Sequence, residues 1–347
     1  MSSGGARVVH AVRSDSFAGV EKYVTDVVTE LHVRGWQVSV IGGDRDRMRS
    51  TLPVTIRHTP ARTTVDVVRS LSQGRPIALV HSHMSSADLA SAVTGPAARG
   101  RVSTRHFAAP RGRSPVSRRV MRAVERRLDV SLSISGFVLA ASGGTDTLAY
   151  NGVRSLGHPV PWTERRNQVL VMQRLETEKD TRTVLEAWNL SDAAASGWNL
   201  VVAGRGSQQE DLQVQAVHLG IRDSVTFAGF VADPKHLIEQ SKLVIASAPA
   251  EPFGLVVVEA MAAATPVLAA DAGAHRETLG PGGRFFTAGD AHACATGINS
   301  LLSSQAAAAA YGRSLRDRQQ SKFSLSHHVD ALEIIYADVL RQKADSR

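Results

Sequence analysis

Cysteine is nearly missing from this chain of 347 residues, in which Cys294 stands alone. One cysteine excludes a disulfide framework and a cysteine-based zinc site, and it favours a reducing compartment. Long apolar runs are also missing: no stretch of 18 apolar residues occurs, so we expect no membrane-spanning helix. The N-terminus lacks a basic segment followed by a long apolar one, which argues against a secretory signal. We therefore predict a cytoplasmic protein.

Aromatic residues are scarce, at 17 in total, and they do not alternate with basic residues as a nucleic-acid platform requires. We therefore expect no nucleic-acid partner. Acidic residues are scarce only in the first half of the chain. Residues 1–155 carry a net charge of +11, whereas the remainder carries −3. The two halves are expected to have different partners.

What the chain does contain is a regular alternation of short β-branched runs and amphipathic helical segments. The run Arg7–Val12 is followed by a helical pattern at Val20–Arg34 and by a second run at Gln37–Ile41, and the series restarts with Val169–Met172. This alternation predicts parallel sheets covered by helices on both faces. We expect an α/β protein with two Rossmann-like, doubly wound domains facing a central cleft. Ligands of such sheets bind at the carboxyl ends of the strands.

The boundaries of the two domains follow from a stretch without periodicity at 154–166, which contains Gly157, Pro159 and Pro161. We predict an N-terminal domain at 1–153, a linker at 154–166 and a C-terminal domain at 167–324. A further amphipathic helix is predicted at 325–342.

The most informative segment is 251–267, where a strand gives way to a helix that begins near Phe253. Unpaired N–H groups at a helix N-terminus bind phosphate, helped by a partial charge of about +0.5. Gly254 lets an anionic ligand approach the backbone. Glu251 and Glu259 flank this point, and carboxylates of Rossmann-like sites accept hydrogen bonds from sugar hydroxyls. The segment predicts a ligand in which a phosphate is flanked by sugars.

Glu259 could instead be an exposed helix residue. Its neighbours Val256–Val258 and Ala260–Ala264 are apolar on every side, which indicates a buried helix. A buried carboxylate needs a hydrogen-bond partner. We therefore favour a ligand-binding role for this residue.

The double-glutamate segment resembles the E-x7-E motif of the GT4 family of retaining glycosyltransferases, which have the GT-B fold. The resemblance covers nearly the whole chain, because six further motifs of that family occur in the same order. Each is weak alone, and together they are specific. They are Ser16–Glu21, Asn151–Val153, Gln173–Asp180, Gly204–Gly206, Phe227–Val231 and Gly273–Glu277.

The resemblance implies a role for each matching residue. Glu259 would bind the ribose hydroxyls of the nucleotide, Glu251 the hydroxyls of the donor sugar, and Arg174 with Lys179 the diphosphate. His106, which follows a strand of the N-terminal domain, would lie beside the donor sugar and complete the catalytic set with Glu251, Arg174 and Lys179. The other donor-binding positions are Gly19 and Gly204 in glycine loops, Phe253, Gly254 and Leu255 through backbone amides, and Phe230 and Val231 at the nucleobase.

The activity implied is retaining, metal-independent transfer of a hexosyl or N-acetylhexosaminyl group from a nucleotide-diphosphate sugar, with UDP- and GDP-sugars foremost. The acceptor would be a hydroxyl of a small molecule or lipid-linked intermediate in glycoconjugate, cell-envelope or natural-product biosynthesis. No metal and no cofactor are expected, because Arg174, Lys179 and the helix end supply positive charge. In this family a C-terminal helix, here 325–342, packs back on the N-terminal domain.

Five positions depart from the family pattern, since alanine, glutamine or aspartate stands where glycine is usual. They leave open a nucleotide-sugar epimerase, a pseudo-glycosyltransferase on the same fold and a non-catalytic nucleotide-sugar-binding protein. An NAD-dependent dehydrogenase is disfavoured, because no G-x-G-x-x-G follows the first strand. The departures are Ala18, Gln173, Asp180, Ala264 and Ala274.

Two groups of residues stay ambiguous. His81 and His83 end a strand with the spacing of a metal pair, but no carboxylate is nearby, so acceptor-side lining and a structural role are both open. Seven arginines lie within Arg111–Arg127, over a helical pattern at Val116–Leu128. They predict a solvated helix face, a peripheral contact with an anionic membrane at its inner face, or a pocket for an anionic acceptor.

Overall fold

The computed structural model describes residues 6–73, 76–112, 114–231 and 234–345. The chain divides into two compact units. The first comprises Met1–Gly152 together with Leu325–Arg347, and the second comprises Val153–Ser324.

The first unit contains a seven-stranded sheet in which every neighbouring pair of strands is parallel. Its strands are β1 (Arg7–Val12), β2 (Gln37–Ile41), β3 (Arg57–Thr59), β4 (Ile77–His83), β5 (Ala98–Arg105), β6 (Val130–Ser133) and β7 (Thr147–Leu148). The strand order is β3-β2-β1-β4-β5-β6-β7, so the winding direction reverses between β1 and β4. This is the doubly wound arrangement predicted for this half, with its switch point at β1 and β4.

Six helices connect these strands, and a seventh comes from the end of the chain. The connecting helices are α1 (Gly19–Val33), α2 (Arg45–Thr51), α3 (Thr64–Ser72), α4 (Ser85–Val93), α5 (Pro115–Glu125) and α6 (Gly136–Ala141). Local sequence explains several starts: Asp44, Thr63, Ser114 and Ser135 each accept a backbone hydrogen bond at a helix N-terminus.

The C-terminal helix, Leu325–Asp345, supplies part of the core of the first unit. Val329, Leu332 and Tyr336 are fully buried in one apolar cluster with the inner face of α1. Gly100 in β5 makes the close packing possible, because a Cβ atom there would lie 2.6 Å from Val339 Cγ1. The first unit is therefore completed by residues that follow the second unit in the chain.

The second unit contains a six-stranded sheet, also parallel throughout. Its strands are β8 (Gln168–Met172), β9 (Asn199–Ala203), β10 (Val225–Gly229), β11 (Leu243–Ala246), β12 (Val267–Ala270) and β13 (Arg284–Phe286), in the order β10-β9-β8-β11-β12-β13. Its helices are α7 (Thr181–Leu190), α8 (Gln209–His218), α9 (Pro234–Gln240), α10 (Leu255–Ala262), α11 (His275–Leu279), α12 (Ala291–Leu302) and α13 (Gln305–Lys322). The predicted second doubly wound domain is confirmed, with its switch point at β8 and β11.

The stretch predicted as a linker is anchored to the second unit. It contains a short 3-10 turn at Trp162–Glu164, and the next residue, Arg165, is buried. Its guanidinium donates to the carbonyl oxygens of Ser241 and Ala263 at 3.1 and 2.7 Å. Apart from this turn, the structure has no helix or strand over 154–166, which is why the sequence shows no periodicity there.

No helix within the described ranges has both the length and the apolar character needed to cross a bilayer.

Candidate functional site

The start of α10 is an open helix N-terminus. Gly254 precedes it with φ at 84°, a left-handed conformation that favours glycine. The helix begins at Leu255 rather than at Phe253 as predicted, because the Gly254 carbonyl accepts its first hydrogen bond, from the Val258 N–H at 3.1 Å. The N–H groups of residues 255–257 therefore have no acceptor within the helix. Such groups attract an anion.

Lys179 and Glu251 meet beside this helix start. Lys179 Nζ donates to Glu251 Oε2 at 2.6 Å, and the two side chains are 17% and 19% exposed. The other carboxylate oxygen, Oε1, accepts the Gly254 N–H at 3.1 Å. The structure thus brings together three of the predicted site residues and fixes the carboxylate between an ammonium and the helix cap.

Gln173, which no motif singled out as a site residue, holds the loop that carries Lys179. Its side-chain amide donates to the Lys179 carbonyl oxygen and to Thr181 Oγ1, both at 2.9 Å, and to Ser247 Oγ at 3.1 Å. The Ser247 hydroxyl also donates to the Lys179 carbonyl, at 2.8 Å. The sequence offered one indication of this role, which is that Gln173 stands where the resembling family usually has glycine.

Two glycines serve close backbone packing in this region. A Cβ atom on Gly204 would lie 1.8 Å from the Gln173 carbonyl oxygen, and one on Gly273 would lie 2.6 Å from the backbone of Glu251. The N–H of Ala274 donates to the Glu251 carbonyl at 2.9 Å. The predicted contact between Gly204 and the donor stays a prediction, and the structure gives this glycine a packing role.

Arg174 does not join the Lys179–Glu251 pair. Its side chain is 61% exposed and donates to Glu178, four residues further along the chain, at 2.7 Å. An exposed pair of this kind contributes little stability. Arg174 is therefore free to exchange Glu178 for another anion, and its predicted contact with a diphosphate stays a prediction.

Glu259 lies two turns into α10 and is half-buried, not fully buried as predicted. One face of the helix is partly exposed. Leu255 and Val256 lie on this face together with Glu259, which follows them by four and three residues. The opposite face, which includes Val257 and Val258, is buried. A carboxylate on the open face can meet a ligand without the cost of full burial.

The aromatic residues near the site differ in exposure. Phe253 is buried, with its ring 5.8 Å from that of Phe323, so only its backbone can face a ligand. Phe230 is exposed and Val231 is half-buried beyond the end of β10. Their predicted contact with a nucleobase stays a prediction.

His275 was missed as a neighbour of the site. Burial lowers its pKa, while the charge of Glu251 acts on the ring in the opposite direction. Its Nδ1 is bonded to the Ala270 carbonyl at 2.9 Å. A neutral imidazole thus borders the Lys179–Glu251 pair.

In the first unit, Gly19 is the first residue of α1, next to Ala18 at the cap position. Glu21 holds the preceding loop: its carboxylate accepts the Ala18 N–H at 2.9 Å and the Ser14 hydroxyl at 2.5 Å. The predicted approach of Gly19 to a diphosphate stays a prediction.

His106 follows β5 and belongs to a cluster of buried histidines. His83 Nδ1 and His106 Nε2 are 3.1 Å apart, and His10 Nδ1 and His83 Nε2 are also 3.1 Å apart. Burial lowers the pKa of His10 and of His106 to about 3, and lowers the pKa of His81 and His83 well below the usual value. These imidazoles are neutral at physiological pH.

Of the two roles left open for His81 and His83, the structure favours the structural one over acceptor-side lining, because both side chains are fully buried. The ligand atoms of His10, His81 and His83 lie within 4.8 Å of one another, as a metal site would need. Each ring nitrogen of the three already has a hydrogen-bond partner. No carboxylate among the described residues joins the group, so a dication would be buried without counter-charge. The cluster fits a metal poorly.

The arginine-rich segment is divided by the structure. Arg111 is buried and lies 3.3 Å from Asp88, so neither the solvated face nor the membrane contact considered for Arg111–Arg127 includes this residue. Burial of the Asp88 carboxyl in the core explains why that guanidinium turns inward. Arg113 lies outside the described residues. On α5, which ends at Glu125 rather than Leu128, Met121 and Val124 are the buried residues. Its exposed arginines are Arg118, Arg119 and Arg122, followed by Arg126 and Arg127 just beyond the helix.

Comparisons with known proteins agree with this picture. Residues 158–318 match the family model for glycosyl transferases group 1. The lipopolysaccharide core biosynthesis mannosyltransferase LpcC of Rhizobium leguminosarum is 29% identical over 199 residues, which are 55% of each chain. The chain spans about half the length of the curated relatives it matches.

Solved structures cover more of the chain. The Anabaena protein HepE, crystallised with UDP and glucose, has a TM-score of 0.83 at 20% identity over 96% of this chain and 100% of its own. Sucrose-phosphate synthase from Thermosynechococcus elongatus has a TM-score of 0.78 at 18% identity, over 97% of this chain and 100% of its own. The predicted GT-B fold is confirmed.

Proposed function

We propose that this chain is a group 1 glycosyltransferase of the GT4 type. It transfers a hexosyl or N-acetylhexosaminyl group from a UDP- or GDP-sugar to an acceptor hydroxyl, with retention and without a metal ion. One observation carries the proposal: the Lys179–Glu251 pair lies beside the open N-terminus of α10. A cation and free N–H groups suit a diphosphate, and a fixed carboxylate suits sugar hydroxyls.

The reaction that we propose is the retaining transfer that the family resemblance implies, and the groups of this site suit it. The bond between the anomeric carbon and the diphosphate oxygen breaks, and the acceptor oxygen forms its bond on the same face. The departing phosphate takes the proton of the acceptor hydroxyl, so charge and atoms balance. Lys179 and the N–H groups of α10 stabilise the negative charge that develops on the leaving group. Arg174 leaves Glu178 and adds a second cation.

Glu251 and Lys179 neutralise each other before the donor arrives. A diphosphate competes with Glu251 for Lys179, and the carboxylate is released to accept hydroxyls of the donor sugar. Since Oε1 stays on the Gly254 N–H, the carboxylate keeps its position during this exchange. Glu259 accepts the ribose hydroxyls from the open face of the same helix.

A panel of UDP-, GDP-, ADP- and dTDP-sugars in a thermal-shift assay tests the proposal. A ligand at 100 times its Kd stabilises by about 2.7 kcal/mol. We expect one sugar nucleotide to raise the Tm, and Glu259→Ala to weaken that effect by about ten- to a hundredfold in affinity. Glu210→Ala, an exposed carboxylate on α8, is the matched control. No shift with any sugar nucleotide, or an unchanged affinity in Glu259→Ala, overturns the assignment.

Incubation with the donor separates the enzymatic alternatives. A transferase releases nucleotide diphosphate only when an acceptor is present, apart from slow hydrolysis. An epimerase changes the sugar without an acceptor, and a binding protein does neither. Analysis of the product's anomeric configuration then decides between retention and inversion.

An anionic membrane surface at the cytoplasmic face is the partner that we propose for α5. Val116 and Val120 are 74% and 45% exposed on this helix, and they lie next to each other, one turn apart. Positions 116, 120 and 123 share one face, and Arg119 on the helix and Arg126 just beyond it lie along one side of that face. Exposed apolar residues bordered by arginine are typical of helices that lie in a lipid interface. A lipid-linked acceptor would be met there.

A further inference from the structure

His275 lies where three central strands of the second unit end. β8, β11 and β12 are neighbours in a parallel sheet, so their carboxyl ends share one edge. Lys179 follows β8, Glu251 follows β11 and His275 follows β12. The winding direction reverses between β8 and β11, and ligands of doubly wound sheets bind outside such a switch point. The family motif that matches Gly273–Glu277 leaves its third position open, so the resemblance gives His275 no role.

The backbone beside His275 is packed directly on Glu251. The N–H of Ala274 donates to the Glu251 carbonyl at 2.9 Å. Gly273 permits this approach, because a Cβ atom there would lie 2.6 Å from the backbone nitrogen and oxygen of Glu251. The side chain of His275 is 1% exposed, and the charges of Glu251 and Lys179 both act on its ring. The ring therefore borders the Lys179–Glu251 pair.

The carbonyl oxygen of Ala270 determines which nitrogen of His275 carries the hydrogen. Nδ1 lies 2.9 Å from this oxygen, which belongs to the last residue of β12. A carbonyl oxygen can only accept, so Nδ1 carries the hydrogen and donates it. Burial lowers the pKa of the ring and outweighs the opposing effects of the Ala270 carbonyl and Glu251, so the ring is neutral at pH 7.5. Nε2 is then a bare nitrogen with a lone pair.

This lone pair is accessible to a ligand. The described residues provide no hydrogen-bond partner for Nε2 of His275, and the atom is not sealed from solvent. A phosphate oxygen cannot use it, because such an oxygen has lone pairs and negative charge of its own. A neutral hydroxyl can, since it has a hydrogen to donate.

We propose that His275 binds the transferred sugar, with its bare Nε2 accepting a hydrogen bond from one hydroxyl of that sugar. Glu251 and His275 then present two acceptors side by side, which suits two neighbouring hydroxyls of one sugar ring. The diphosphate is left to Lys179 and the start of α10. The identity of the ligand as a sugar rests on the proposed function, whereas the position of the ring hydrogen does not.

Nitrogen NMR of histidine-labelled protein reads the state of the ring. At pH 7.5 we expect His275, assigned with His275→Gln, to be neutral and to carry its hydrogen on Nδ1. The sugar nucleotide with the largest effect in the thermal-shift panel should shift the Nε2 signal, and the matching nucleoside diphosphate should not. A hydrogen on Nε2, a charged ring or an unmoved Nε2 signal in the donor complex overturns the proposal.

His275→Leu and His275→Gln test the contact, because only glutamine retains an acceptor at this position. We expect His275→Leu to weaken binding of the sugar nucleotide by about tenfold, the worth of one hydrogen bond, and His275→Gln to restore part of the affinity. Affinity for the nucleoside diphosphate, which lacks the transferred sugar, should not change. A purely structural role would weaken both ligands equally, and that result, or unchanged affinity for the sugar nucleotide, contradicts the proposal.

His58→Leu is the matched control, because it also removes a bond from a ring to a carbonyl, that of Gly42 at 2.9 Å in the first unit. It should leave the affinity for both ligands unchanged. If His275→Leu does not fold, the Nε2 signal of the unmodified protein still decides. If the hydrogen is on Nδ1 and no sugar nucleotide binds, the proposed function fails and the sugar contact fails with it. If sugar nucleotides bind and Nε2 does not respond, only the contact with His275 fails.

Discussion

Gln173 shows how one side chain can replace backbone freedom with a defined contact. Its amide bonds to the Lys179 carbonyl, Thr181 and Ser247, and these three contacts set the position from which Lys179 reaches Glu251. A glycine at this position would leave the loop without those bonds. We infer that Gln173, which stands where the GT4 motif has glycine, compensates for the lost backbone freedom with these hydrogen bonds.

Gln173→Ala is therefore expected to loosen the Lys179 loop. Ser247 still donates to the Lys179 carbonyl, so the loss of stability is about 1–3 kcal/mol. The KM for the donor should rise several-fold while kcat changes less, since the groups that stabilise the leaving charge remain. Steady-state kinetics and the Tm measure both effects. Gln208→Ala at the start of α8 is the control, and equal effects in the two variants contradict the interpretation.

The sequence predicted the members of the candidate site better than their contacts. The double-glutamate segment located Glu251 and the start of α10 to within two residues, because glycine and helix periodicity are local signals. The contact between Lys179 and Glu251 joins residues 72 positions apart. The cluster of buried histidines could not be predicted either, since it depends on strand register and on Tyr336 from the last helix.

At the scale of elements, α5 is a helix with too little to bury. Only Met121 and Val124 face the core, while two valines and several arginines face outward. Its stability in isolation would be low at 11 residues. A lipid surface would cover the exposed valines and neutralise the arginines.

Vesicle sedimentation tests this surface. We expect the protein to bind vesicles rich in anionic lipid at low salt, and to bind far less to neutral vesicles or at high salt. The double variant Arg119→Glu/Arg126→Glu should abolish binding. Arg45→Glu/Arg49→Glu, with the same charge change on exposed residues of α2, should keep most of it. Equal losses in both variants would indicate a response to net charge alone, and binding that is indifferent to salt would also contradict the proposal.

Elements were predictable where their residues carry their own signal. β1 and β2 have the predicted bounds, because each is a largely buried run rich in valine. The two-residue strand β7 is exposed on both residues and owes its pairing to β6. Such short edge strands depend on pairing with a neighbouring strand, and no local sequence pattern predicts them.

At the scale of the molecule, five buried imidazoles make the first unit sensitive to acid. They belong to His10, His81, His83, His106 and His328. Their pKa values lie below 6.5 when folded, to about 3 for His10 and His106 and about 4 for His328, and return to 6.5 on unfolding. The unfolded chain therefore binds more protons, and stability present above pH 6.5 is lost as the pH falls. In this pH range, each imidazole lowers the free energy of unfolding by about 1.4 kcal/mol per pH unit.

Five imidazoles together lower the free energy of unfolding by about 7 kcal/mol per pH unit. A fall of about one to two pH units therefore removes as much free energy as stabilises many whole domains. We expect the first unit to unfold at about pH 5. Fluorescence of the buried Trp36, taken as the difference between the protein and Trp36→Phe, should report this step. The tryptophans of the second unit should respond at lower pH. A single transition shared by all tryptophans, or none above pH 4, would contradict this expectation.

The order of the two units along the chain has a consequence for synthesis. The core of the first unit needs Val329, Leu332 and Tyr336, which leave the ribosome after the whole of Val153–Ser324. At 5–20 residues per second, the nascent first unit waits roughly 10–30 s with the apolar face of α1 uncovered. A chain stalled before Leu325 should therefore be cut readily by protease in its first half. The cell must keep the N-terminal part of the first unit, which is synthesised first, from aggregating until the C-terminal helix has been synthesised.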